Sequence, residues 1–337
     1  MNPQIAEMLK DEPWVNDGSE ETVRALREIV GAQATRPDEP SRAEATLTIA
    51  KAMQRAPWYQ DGVDTSEKIV IAEVFKTAVE VQMVYRFASN GRPYHTFLQD
   101  YDWTTLLGRT FEESIFATYK TASGREVAIL GVGTGGYEER AQEAVAMAGR
   151  SIARIESLAG EIDSSSVLIV IEGDVRTVDP EVCGFAVEDL FITFIEGECI
   201  GKGVVIHELV HLSTPWIFVA WFEEGTAYWV QDEVTGSQQR RSSGAMFAMD
   251  DPKNSEEYDR DSDAGYLFYS DLAKLLGTEL LSHHIKNVPE VTSGREILDS
   301  LLTMTPAVKK GAVIDLIGQY CVDDAPRPYV YCSPPTR

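Results

Sequence analysis

Between Val204 and Leu212 the chain reads Val-Val-Ile-His-Glu-Leu-Val-His-Leu, six apolar residues closed around three polar ones. A segment that is apolar on every side forms a stable helix only when it is surrounded by other elements. Two histidines and a glutamate are therefore carried indoors, where polar groups without partners are costly. His207 and His211 stand four residues apart, so their imidazoles share one helix face and can hold a tetrahedral zinc at about 2.0–2.1 Å. Glu208, beside them, is placed to take the proton of an attacking water. The stretch predicts a buried helix over 204–212 with a metal on it.

A catalytic zinc takes three protein ligands and keeps one open position. Pro215 is expected to end the first helix, and Trp221-Phe222-Glu223-Glu224-Gly225-Thr226-Ala227-Tyr228-Trp229 begins a second, read over 222–232. Glu223 and Glu224 are adjacent carboxylates about 100° apart on that helix, and one of them can face the motif. Gly225 is expected to let the two helices approach closely, which favours Glu224. In these residues the sequence resembles the gluzincin metallopeptidases, whose His-Glu-x-x-His is followed by a helix bearing Glu in a Trp-x-x-Glu-Gly-x-Ala setting. The resemblance implies His207, His211 and Glu224 as zinc ligands and Glu208 as general base. It implies zinc-dependent peptide-bond hydrolysis, with a zinc-activated water as nucleophile and a peptide or protein as substrate. The implied fold is α+β, a zincin-like domain of a small sheet and active-site helices.

The likeness spans about residues 125–290. A long helix over 138–158, a strand over 167–171, a turn at Cys183-Gly184-Phe185 and an edge strand over 190–195 follow the family's order. Through that order the edge strand is expected to bind extended substrate by strand addition. Related aminopeptidases place an oxyanion-stabilising Tyr three residues before the glycine of the next helix. Here that position is Ser262, leaving Tyr266 and Tyr258 as candidates, with Tyr266 assigned the catalytic role. Their Gly-x-Met-x-Asn amine-binding motif is absent from the chain, so aminopeptidase activity is not implied.

Ahead of this domain the sequence repeats itself. Pro13-Trp14-Val15-Asn16-Asp17-Gly18 returns 44 residues later as Pro57-Trp58-Tyr59-Gln60-Asp61-Gly62. Each copy reads as a short helix, a Pro-Trp…Asp-Gly turn and a second helix, over 20–30 in the first copy and about 66–87 in the second, with Trp pinning the two together. This resembles tandem Pro-Trp-x-x-Asp-Gly repeats of bacterial proteins. Residues 1–90 are thus expected to form an all-α helical-hairpin domain, linked through 35–41 and offering a surface to a protein partner. The peptidase-like domain takes 91–322, and 323–337 is a Pro-rich extended tail.

Two other readings compete. Gly131-Val132-Gly133-Thr134-Gly135-Gly136 fits a dinucleotide-binding Gly-x-Gly-x-x-Gly after a strand over 126–130. However, Glu138-Glu139 would put negative charge where a pyrophosphate sits, and Glu172 or Asp174 lies over 40 residues on, against about 20 expected. A glycine turn opening a helix, with the acids complementing its dipole, accounts for the pattern. The other alternative is a catalytically inactive zinc-binding scaffold or interaction protein, against which the retained Glu208 argues. His283-His284 is expected at the surface, His95 has no partner in the sequence, and the acidic run over 250–263 is expected to be a solvated loop before a helix over 265–276.

Charge narrows the partners. The 337 residues carry 30 Lys and Arg against 54 Asp and Glu, a net charge of −24, which repels phosphate backbones and anionic bilayers. Nucleic acid and membrane are therefore not expected as partners. The apolar runs at 167–171 and 217–220 are far shorter than the roughly 20 residues that span a bilayer. No basic segment followed by an apolar run opens the chain, which is expected to be cytoplasmic. Cys183, Cys199, Cys321 and Cys332 contain no C-x-x-C pair and, in a reducing cytosol, are expected to be free thiols.

Overall fold

The structure, a computed structural model, describes residues 115–134, 136–162, 166–173, 183–187, 192–214, 219–237, 245–249, 255–288, 293–323 and 329–332. The N-terminal repeats, His95, Asp174 and Pro215 lie outside them. The chain divides into two compact units. One takes in Gly124–Gly149, Ser164–Lys202 and the strand before them; the other comprises Thr121–Ser123, Arg150–Asp163 and Gly203–Arg337.

Among the described residues the first unit is built on a five-stranded sheet of β1 (Ile115–Lys120), β2 (Glu126–Gly133), β3 (Ser166–Glu172), β4 (Gly184–Val187) and β5 (Ile192–Glu196), in the order β1-β2-β3-β5-β4. β2, β3 and β5 run parallel, and among the described residues β1 and β4 close the two edges antiparallel. Continuous apolar sequence marks a strand covered on both faces, and Val167 to Ile171 are all buried at the sheet's centre. The crossover from β2 to β3 is α1 (Glu138–Leu158), whose bounds are those its periodicity predicts; Ala141, Val145, Ala148, Ile152 and Ile155 are buried. The glycine turn before it packs on itself. A Cβ on Gly133 would lie 2.2 Å from the Tyr137 carbonyl oxygen, and the Tyr137 ring covers the backbone of Gly173 and Gly197.

The strand expected at the edge is not one. β5 lies inside the sheet because Gly184–Val187, which takes in Gly184 and Phe185 of the turn expected at Cys183-Gly184-Phe185, is itself a strand that pairs with it from Gly184↔Ile195 to Val187↔Ile192. Phe185 stacks on Phe194 with centroids 5.0 Å apart, sealing the pair. Among the described residues the edge therefore passes to β4.

The second unit is helical: α2 (Val204–His211), α3 (Ala220–Thr235), α4 (Ser255–Leu276), α5 (Thr278–Asn287), α6 (Gly294–Met304) and α7 (Lys310–Tyr320), with β6 (Phe247–Ala248) paired in parallel to β7 (Cys321–Val322). α4 begins ten residues before the expected start and absorbs much of the acidic run. Glu256 and Glu257 fall in its first turn, where carboxylates complement the helix dipole. Asp261 is buried and accepts from the Ala248 N–H at 3.2 Å and from Arg260; burial pushes its carboxyl up to about 6, although Arg260 pulls the other way. The core is aromatic: Trp221 of α3 stacks on Phe247 at 4.3 Å, with Phe268 and Tyr269 of α4 around it. Among the described residues no helix is long and apolar enough to cross a membrane.

The cysteines are paired, not free: Cys183–Cys199 joins β4 to the short 3-10 helix Gly197–Lys202, and Cys321–Cys332 closes the tail. The start of the tail is correspondingly folded back. The Tyr329 N–H donates to Asp323 at 2.6 Å, its hydroxyl donates to Asp299 at 2.6 Å, and the Arg295 guanidinium lies 5.5 Å over its ring. A loop this short, closed covalently, removes chain entropy worth on the order of 3 kcal/mol from the unfolded state. Cys332→Ser is expected to lower the denaturation midpoint accordingly. Equal midpoints for variant and parent, both measured without reductant, would show that the closure contributes nothing.

His284 also departs from its expected surface position. It is buried on α5 with neither ring nitrogen partnered among the described residues, and burial pushes its pKa down to about 4, keeping it neutral. His283 is the exposed member and lies 3.1 Å from the Asn287 amide.

Candidate metal centre

Two close approaches between helices build the site. α2 opens at Gly203, whose φ of 80° is left-handed. A Cβ there would fall 2.9 Å from the Gln231 amide and 3.4 Å from Thr235, both near the end of α3. With the start of α2 against the end of α3, the two helices run antiparallel, and the first turns of α3 come level with His207 and His211. Gly225, expected at this junction, serves the other one. A Cβ on it would strike the backbone of Gly265 at 2.5 Å, so Gly225 and Gly265 form the crossing of α3 with α4.

At the level so defined, three side chains converge. His207 Nε2 lies 3.0 Å from Glu224 Oε2 and 3.2 Å from His211 Nε2, and His211 Nε2 lies 3.6 Å from Glu224 Oε1. Their donor atoms all fall within 4.8 Å of one another, and among the described residues no other group of His, Cys, Asp and Glu is so arranged. Atoms bound to one tetrahedral ion at 2.0–2.2 Å are separated from each other by roughly 3.3–3.5 Å. The three donors fit that spacing to within a few tenths of an ångström. Glu223, one residue from Glu224, is half-buried and stands outside the group.

The electrostatics suit a cation. Burial alone would raise the Glu224 carboxyl, but His211, His207 and the Tyr258 hydroxyl outweigh it and hold it below the usual carboxylate range. His211 is pushed down to about 4, by burial first and by His207, against the pull of Glu224. A neutral imidazole beside an ionised carboxylate is the state in which each offers a lone pair to a metal. Glu208 is buried between the two histidines in the sequence of α2.

The two tyrosines separate. Tyr258, expected in a solvated loop, sits in the first turn of α4, and its hydroxyl donates to Glu224 Oε1. Tyr266 is buried two turns later, and its hydroxyl donates to Asp232 Oδ2 at 2.5 Å. Sequence reasoning missed Tyr228 and Asp232. The Tyr228 ring lies against the His207 imidazole with centroids 4.3 Å apart. Their signal was present as spacing: Glu224, Tyr228 and Asp232 recur every four residues along one face of α3.

Comparison of the sequence with protein-family models and with curated proteins gives no match.

Proposed function

We propose that the chain is a zinc metallopeptidase that hydrolyses peptide bonds, with His207, His211 and Glu224 holding the metal and Glu208 as general base. The observation that carries the reading is the convergence of two imidazoles and one carboxylate from antiparallel helices, with a buried glutamate between the histidines in sequence. Two imidazole nitrogens and a carboxylate oxygen are a donor set that suits zinc and leaves a fourth position for water or substrate. Zinc bound there would supply Lewis-acid polarisation of the scissile carbonyl and bring the pKa of water down to about 7. Glu208 takes the proton of the attacking water and returns it to the leaving amine. Tyr258, with its hydroxyl on a ligand carboxylate, is the better placed of the two tyrosines to meet charge developing on the substrate.

The substrate is a peptide or protein, and the charge of −24 weighs against nucleic acid and anionic membrane. The N-terminal repeats remain the proposed surface for a protein partner. The two disulfides weigh toward an oxidising compartment and against the cytoplasmic expectation.

The test is metal analysis joined to an unbiased peptide-cleavage profile. Protein purified without chelator and offered zinc is expected to hold one zinc per chain, to lose it in His207→Ala and His211→Ala, and to cleave peptides only when loaded. Metal-free wild-type protein by emission spectrometry overturns the reading. One zinc per chain with no peptide cleaved converts it to a zinc-binding scaffold.

A further inference from the structure

A histidine that binds metal through Nε2 is ordinarily held in orientation by a hydrogen bond from Nδ1 to a carboxylate, carbonyl or water. His207 has no such bond among the described residues. Its Nε2 faces Glu224 and His211, while its Nδ1 is buried without a partner. Among the described residues the plane of this ring is set by packing. The His211 ring meets it edge-on at 4.9 Å, and closer against it lies Tyr228, whose ring is tilted 52° to the imidazole at a centroid distance of 4.3 Å.

Tyr228 is itself braced. Tyr266 of α4 meets it edge-on, with centroids 6.4 Å apart and planes at 81°, an arrangement favoured by aromatic quadrupoles. The far end of Tyr266 is tied by its hydroxyl to Asp232, one turn beyond Tyr228 on α3. A single face of α3 thus supplies the ligand Glu224, the ring against the ligand His207, and the carboxylate that fixes the ring behind it. We infer that Tyr228 is the positioning residue for His207, orienting the imidazole by packing where a hydrogen bond usually does so, with Tyr266 and Asp232 as its brace. This rests on the metal reading of the site. It gives Tyr266 a supporting place behind the metal centre.

The probe is Co²⁺ in the full-length chain, whose visible d–d bands report ligand number and geometry independently of turnover. Tyr228→Phe keeps the ring and is expected to retain the wild-type spectrum and affinity. Tyr228→Leu keeps bulk and helix propensity but loses the ring. It is expected to weaken Co²⁺ binding by about tenfold or more and to shift the bands, with the metal-free circular dichroism spectrum unchanged. Tyr266→Phe, which keeps the ring and cuts the hydroxyl's tether to Asp232, is expected to shift the bands less than Tyr228→Leu does. It decides the matter if the Leu variant does not fold, an unshifted spectrum then overturning the inference. A wild-type chain that binds no Co²⁺ overturns the metal reading and this inference together. Wild-type binding with an unaltered Tyr228→Leu leaves the metal reading standing and overturns this inference alone. Equal losses in Tyr228→Phe and Tyr228→Leu assign the effect to the hydroxyl and also overturn it.

Discussion

Glu208→Gln is expected to keep its zinc and to lose peptide hydrolysis by about a hundredfold or more, the range that a positioned general base contributes. Glutamine has the shape of glutamate, so the buried space that Glu208 fills on α2 stays filled and the flanking histidines stay in place. What changes is basicity, since an amide oxygen does not take a proton from water near neutral pH. The measurement is a paired one: metal content by emission spectrometry and cleavage of a peptide substrate, on the same preparation. Retained zinc with retained turnover would remove Glu208 from the chemistry. Lost zinc would show instead that the glutamate supports the ligands.

How far such a site was legible in the sequence depended on whether the signal was local. α1 was readable to its end residues because one amphipathic helix contains its own period, and α2 because six apolar residues around His-Glu-x-x-His admit one interpretation. Pairing between elements was not local, and there the reading failed. Gly184–Val187 is four residues with a glycine at its head, which by itself looks like a turn; only the partner strand β5 makes it an edge. Gly225 was expected to serve the nearest helix, yet a missing side chain does not say which neighbour fills the gap. Gly265, forty residues on, does so, while Gly203 makes the approach credited to Gly225. The acidic run of α4 reads as loop from its charge alone, and its helical state depends on tertiary features such as buried Asp261 against Ala248. The cysteines mislead because free thiols follow from assuming a reducing cytosol, and the separations of 16 and 11 residues say nothing about whether their backbones meet.

The adjacent carboxylates give the remaining large effect. Glu224→Ala is expected to weaken zinc binding by at least about tenfold, and Glu223→Ala to change it little. Removing Glu224 takes away the only carboxylate among the three convergent donors. It also strips His207 Nε2 of its 3.0 Å neighbour and leaves the Tyr258 hydroxyl without its acceptor on α3. Two imidazoles alone carry no charge to offset a divalent cation, so the loss exceeds that of one bond in three. Glu223 lies about 100° round the same helix, half-buried and outside the group. Glu224→Gln separates charge from shape: its amide oxygen can still accept from Tyr258, so a loss of affinity close to that of Glu224→Ala assigns the effect to the carboxylate's charge. Competition against a chromogenic chelator ranks the three variants. A larger loss in Glu223→Ala than in Glu224→Ala would transfer the third ligand to Glu223 and require α3 to be rotated by one residue.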